Sequence, residues 1–326
     1  MSSSISSFNK HACAFCAGAA AVFLIIAGAS EWLVRAKVIP EDSLYKHVAL
    51  VHNTTSPFAA FGDSHVARNF HAAAPVVNLA YPSENIEKMH WKATHYLDRI
   101  ENPETILIQA DPHLFAPYRT GAGLGDYERI FAGDKPPISM ALSERYRPQL
   151  IALWRSFIEN GGTMKSDVEM TAQGTLLSPG DLSKWSSSQV SKFVADRVQL
   201  HRPADGFQAS ITARHYREMI MAFVARGAEV CLVAFPTSPV YRARIEGLAQ
   251  DDQKQFWMAI TFFQELADTP EVKFIDDSAR FSDVSFFRDP DHLNKKGARH
   301  YGPTLQESCF GEIEINTPTP RIAAVK

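Results

Sequence analysis

No long run of one charge sign occurs in this chain. Its 33 basic and 36 acidic residues leave a formal net charge of -3, which offers no footprint for a nucleic-acid backbone. No internal repeat is visible, so no stacked-repeat architecture is expected. Cysteine is scarce, at four residues. Cys13-Ala14-Phe15-Cys16 has C-x-x-C spacing, but it lies in an apolar segment and not at a strand-to-helix turn. It is therefore not read as a redox or metal motif. Cys231 falls in an apolar run where a free buried thiol is expected, and nothing in the sequence supports pairing it with Cys309.

Charge is missing altogether from residues 12–30. With no polar face to meet water, this stretch does not read as a helix of a soluble core. As a helix it would be about 28 Å long, enough for a bilayer core. Lys10 precedes it, and Arg35 and Lys37 follow, so flanking charge votes only weakly on orientation. The expectation is an uncleaved signal anchor with a short cytoplasmic tail, residues 1–11. The competing expectation is a signal peptide cut after Ala27-Gly28-Ala29, a small-x-small pattern. Both place the remaining chain outside the cytoplasm, at the periplasmic or cell-surface side.

What is abundant fits a folded α/β domain: 45% hydrophobic residues, 21% charged and 21 phenylalanines, in a chain long enough for a full core. After a linker at 31–56, short apolar runs at 57–61, 76–80, 104–110, 229–235 and 272–276 read as strands. Helical periodicity appears at 84–100, 211–225, 241–267 and 293–307. Strands alternating with helices predict a parallel sheet covered on both faces. Residues 112–207 interrupt this rhythm, with helices near 139–159 and 187–198 around a Gly/Ser/Thr-rich stretch. They read as an insertion or lid at the C-terminal edge of the sheet. The domain is expected over 57–310, with a loose tail at 311–326.

Two short stretches carry the chemistry. Phe58-Ala59-Ala60-Phe61-Gly62-Asp63-Ser64 is an apolar run that ends abruptly in a serine. A strand of that kind delivers a hydroxyl to the sheet edge, with helix N–H groups behind it. Asp289-Pro290-Asp291-His292 lies near the other end. In a doubly wound sheet both positions face one crevice. There His292 would take the proton of Ser64, and Asp289, three residues away, would hold the second imidazole nitrogen. The bland readings are helix capping by Asp63 and Ser64 and a simple turn at Asp289.

Gly62-Asp63-Ser64, Asn78 at the end of the second strand and Asp289-x-x-His292 before the last helix resemble the SGNH/GDSL hydrolase superfamily over about residues 57–308. That resemblance implies a flavodoxin-like three-layer sandwich with a mostly parallel five-stranded sheet, with Ser64, Asp289 and His292 as the triad. It also implies an oxyanion hole from the Ser64 N–H, a second-block glycine replaced here by Ser83, and a third-block asparagine. The third block reads Gln109-Ala110-Asp111-Pro112-His113, not Gly-x-Asn-Asp. An ionised Asp111 beside the oxyanion would repel it, so either Asp111 points away or His113 supplies the missing donor. Asn78, Asp111 and His113 are thus matched to the oxyanion or substrate region.

The anchor and the divergent third block are similar to exported SGNH-like proteins that O-acylate cell-surface polysaccharides. That likeness implies an acyl donor, a glycan acceptor, a membrane-bound acyl carrier as partner, and no metal or organic cofactor. Tyr81, Trp91, Phe115, Tyr118 and Trp154 are candidate stacking surfaces for sugar. Two other classes are weighed. Asp63-x-His65 has the spacing of a metallophosphoesterase ligand pair, but the later histidine blocks of that class are missing. A non-catalytic SGNH-like scaffold of a membrane assembly would tolerate Ser64→Ala.

Overall fold

The computed structural model describes residues 3–120, 124, 146–164 and 168–313. The start of the helix expected at 139–159 and most of the tail expected at 311–326 lie outside them. The chain divides into two compact units, Met1–Lys46 with Arg129–Ser166, and His47–Glu128 with Asp167–Lys326. The insertion expected at 112–207 contains two of the unit boundaries, before Arg129 and after Ser166.

The first unit is built on α1 (Ser3–Leu33), which runs on through a π turn at Val34–Val38. Ala12–Glu41 has a mean hydropathy of 2.3 and is the one candidate span among the described residues. Phe15, Phe23, Leu24 and Ile25 are exposed, so this is no core helix of a soluble domain. Its length and surface are those of a membrane anchor. Leu33, Val34 and Val38 at its end pack with Leu153, Trp154 and Phe157. The linker expected at 31–56 is therefore largely helical, because α1 continues past Ser30 and α2 (Ser43–Asn53) follows.

The second unit holds the sheet. β1 (Phe58–Phe61), β2 (Val77–Asn78) and β3 (Thr105–Gln109) are followed, beyond a small hairpin of β4 (Glu169–Met170) and β5 (Leu176–Leu177), by β6 (Glu229–Ala234) and β7 (Val272–Asp276). Five strands form one parallel sheet in the order β2-β1-β3-β6-β7, with Phe58 opposite Thr105 and Thr105 opposite Glu229. β1 is apolar throughout, and β3 is buried along its whole length with Ile106, Leu107 and Ile108 at its centre, because both faces are covered. Phe61 meets Tyr96 of α4 (Ile86–Leu97) and Phe223 of the helix Ile211–Val224 on one face. Phe58, pointing the other way, meets Phe310 of the last helix, Lys295–Phe310. The result is the three-layer, flavodoxin-like sandwich expected from the alternation of elements. Its strand order reverses between β1 and β3, and the crevice opens at that point.

Three expectations are corrected. The helix expected at 241–267 is two, Pro239–Glu246 and Gln250–Leu266. Gly247 is a poor helix former, and the Gln253 amide caps the carbonyls of Glu246 and Leu248 freed by the break. The last helix, expected from residue 293, starts at Lys295, and His292 before it is not in a simple turn. His292 lies in β9 (His292–Leu293), paired with β8 (Phe287–Asp289), and Asn294 caps the helix by accepting from the Gly297 N–H at 2.9 Å. Cys231 is not a free thiol. It is bonded to Cys309, with 5.6 Å between the Cα atoms, and so ties the central strand to the last helix. In the chain-entropy account, closing a loop of 78 residues stabilises by about 4–5 kcal/mol. The pairing spans sheet and helix layers, which no local pattern reports.

Candidate active site

β1 ends in Gly62, and the chain turns at once into α3 (Ser64–Asn69). A Cβ on Gly62 would lie 2.2 Å from Val66 Cγ2 and 2.7 Å from Gln109 Oε1, so no larger residue fits this turn. Asp63 caps α3: its Oδ1 accepts from the His65 N–H at 2.8 Å. Its own N–H donates to Gln109 Oε1 at 2.6 Å, which fixes the turn to β3. Ser64 is left at the first helical position, half-buried at the mouth of the crevice.

The other wall is the turn Asp289-Pro290-Asp291-His292. Asp289 Oδ1 accepts from the backbone N–H of His292 at 3.0 Å and contacts its ring Nδ1 at 2.9 Å. The Pro290 carbonyl accepts from the Ser238 N–H at 2.9 Å. The Leu293 N–H donates to Asn69 Oδ1 at 2.9 Å, fastening β9 to α3. That fastening sets His292 Nε2 2.8 Å from Ser64 Oγ. Asp289, His292 and Ser64 thus form one continuous hydrogen-bonded chain, with Nδ1–H donated to the carboxylate and Nε2 free to accept from the hydroxyl.

Behind this chain lies a second cluster, fully buried. His65 contacts Asp111 Oδ2 through Nδ1 at 2.8 Å and Asp291 Oδ2 through Nε2 at 3.4 Å. Burial opposes its charge, but Asp111 and Asp291 prevail and raise its pKa to about 10, so at neutral pH it is an imidazolium with both N–H groups donated. Asp63 Oδ2 accepts from His113 Nε2 at 2.8 Å and from Arg119. Burial opposes the Asp63 charge, but Arg119 and His113 overcome it and hold the carboxyl well below its usual range. Asp291 is likewise held low against the cost of burial by His292 and His65. Burial pushes His113 and His201 down toward the neutral form.

The residues expected in the oxyanion region separate. Ser83 and His113 line the cavity of about 390 Å³ that holds Ser64 and His292; Asn78 and Asp111 do not. Asn78 is buried, with its amide donating to the Val66 and Phe70 carbonyls at 2.9 and 3.1 Å and its oxygen accepting from the Ala80 N–H. Asp111 accepts from His65, from Gln109 Nε2 at 2.8 Å and from the Phe235 N–H at 2.8 Å, so its charge is spent away from Ser64. Ser83 takes a φ of +67°, the backbone that glycine adopts without strain. Of the aromatic candidates, Tyr118 lines this cavity. Phe115 is buried against Phe207, Tyr81 lies against His47, Trp91 lines a separate cavity, and Trp154 bonds Ser30 in the first unit.

Among the described residues, two groups bring metal-ligand atoms within 4.8 Å of one another: His65, Asp111 and His113, and His65, Asp291 and His292. Both depend on His65, whose ring nitrogens face Asp111 Oδ2 and Asp291 Oδ2. Asp63 and His65 do not converge as a ligand pair, since one faces Arg119 and the other Asp111. The sequence reading did not place Arg119, Arg197 or His201 at the site. They come from the segment between β3 and β6 and line the cavity, and no motif marks them. His65 did carry a signal, its position next to Ser64. No protein-family model matches the sequence and no curated protein matches it, so the functional reading rests on the fold and on the geometry of this site.

Proposed function

We propose that this protein is a membrane-anchored serine acyl-transfer enzyme of SGNH/GDSL type, moving an acyl group onto a hydroxyl of an envelope polysaccharide or releasing it to water. The observation that carries the reading is the Asp289–His292–Ser64 chain, with contacts of 2.9 and 2.8 Å. In the first step Ser64 Oγ forms a bond to the acyl carbon while His292 Nε2 takes the hydroxyl proton. Asp289 stabilises the imidazolium so formed. Collapse of the tetrahedral intermediate breaks the bond to the donor oxygen, which leaves with the proton from His292, and the acyl group stays on Ser64 as an ester. An acceptor hydroxyl then gives its proton to His292, attacks the ester and restores Ser64. The N–H groups of Ser64 and Ser83 are the donors assigned to the oxyanion; His113, neutral and with its Nε2–H given to Asp63, has no second N–H to offer.

A sugar acceptor is supported by Tyr118 at the cavity wall and by the anchor, which would hold the domain at an envelope surface. The Cys231–Cys309 disulfide supports the side outside the cytoplasm, where such bonds persist. An activated acetyl ester tests the reading. Intact-mass measurement is expected to show one acetyl adduct, mapped to Ser64 and missing in Ser64→Ala. With a glycan present, acetylated sugar rather than free acetate marks the transferase. Equal adduct formation by wild type and Ser64→Ala would exclude the triad.

A further inference from the structure

The cavity beside Ser64 carries more cationic side chains than its mechanism uses. Four guanidinium groups line it, from Arg68, Arg119, Arg197 and Arg288. Three have carboxylate partners: Arg119 bonds Asp63, Arg197 Nε lies 3.2 Å from Asp291 Oδ1, and Arg288 Nε lies 3.1 Å from Asp289 Oδ2. Arg68 has no carboxylate ion-pair partner among the described residues, and it donates to the Ser178 hydroxyl. It stands four residues after Ser64 on α3, one helical turn away on the same face.

The surroundings of Arg68 oppose its charge. It is partly withdrawn from water, and Arg288 lies close enough to repel it; both effects lower its pKa. Two like charges held on one wall next to a nucleophile raise the energy of the empty site, and an anion placed between them removes that cost. Pairing is also incomplete at Arg197: its Nε and Asp291 Oδ1 are close but lack hydrogen-bond geometry, and both are buried without a partner. Guanidinium groups recognise planar or tetrahedral oxyanions through paired N–H donors.

We propose that this cavity takes an anionic substrate, an acceptor glycan bearing a carboxylate or phosphate, and that Arg68 beside Arg288 is its anion-binding residue. The proposal rests on the reading of Ser64 as the acylated residue, because the anion is placed one helical turn from it. It names acidic sugars as the acceptor class. Arg68 then acts as a specificity residue that holds the sugar in register with Ser64.

Binding can be measured without turnover on the full chain carrying Ser64→Ala in detergent micelles. Calorimetric titration would compare an oligogalacturonate, its fully methyl-esterified form and a phosphate-bearing oligosaccharide. The expected result is that one anionic form binds about tenfold or more tighter than the esterified one, as a charge-assisted hydrogen bond provides, and less so at high salt. The carboxylate and phosphate arms identify which anion is read. Adding Arg68→Gln is expected to remove the preference, and Arg68→Lys to retain part of it with the fold kept. Equal binding of charged and esterified sugars, no binding of either anion, or a preference that survives both Arg68 variants would overturn the proposal. Acylation of Ser64 is tested separately by the activated ester, so failure there is distinguishable from failure here.

Discussion

Two histidines lie side by side in this site, with ring centroids 5.0 Å apart, and their partners differ. His292 stands between one carboxylate and a hydroxyl. His65 stands between two carboxylates. The first arrangement leaves a nitrogen that accepts a proton when Ser64 gives one up. The second donates both nitrogens to anions and keeps its proton up to about pH 10, so His65 is a fixed charge and not a base. The same residue type, adjacent in space, is left with a nitrogen open to a proton or is held as a cation, according to whether its second partner is a hydroxyl or an anion.

Each of Ser64→Ala and His292→Ala is expected to lower ester turnover by about 10³-fold or more, with little change in melting temperature, measured with an activated ester and by thermal unfolding. Asp289→Asn is expected to cost about 10²–10⁴-fold in kcat, because the amide can no longer hold the catalytic tautomer. A rate within threefold of wild type would deny Asp289 its role.

His65→Gln should act on stability. Removing one partner of a buried charge cluster costs about 3–5 kcal/mol, so denaturant unfolding should show the loss near pH 6. The pH dependence sharpens the test. The folded pKa of His65 is raised above its unfolded value of 6.5 to about 10. The stability it contributes is therefore fully present below pH 6.5 and lost as pH rises toward 10, with a slope of up to ~1.4 kcal/mol per pH unit. Wild type should show this decline and His65→Gln should not. The smallest effect is expected at Ser83, where glycine suits the φ of +67°. Ser83→Gly should change stability by less than about 1 kcal/mol and leave the acylation rate within a few-fold, since the backbone N–H is kept.

Much of the fold was legible because it follows from local periodicity. The apolar runs at Phe58–Phe61 and Thr105–Gln109 became the sheet strands. The hydrogen-bonded chain of Asp289, His292 and Ser64 was legible for a related reason: Asp289 and His292 are three residues apart in one turn, and Ser64 follows a strand whose end must face the crevice. The misplaced start of the last helix shows the limit. Helical spacing was read from Leu293, but pairing with β8 takes Leu293 into a strand and the helix begins at Lys295.

By itself, the sequence determined the apolar anchor, the alternation of strands and helices, and the short-range pieces of the site. Those depend on neighbours a few residues away. Only the tertiary structure decided that Cys231 meets Cys309, that Asp111 turns from Ser64 toward His65, and that His65 is charged. His65 meets Asp111 across 46 residues and Asp291 across 226. A charge state is set by what converges in space around a buried group, and residues that far apart in the chain leave no periodic mark of their meeting.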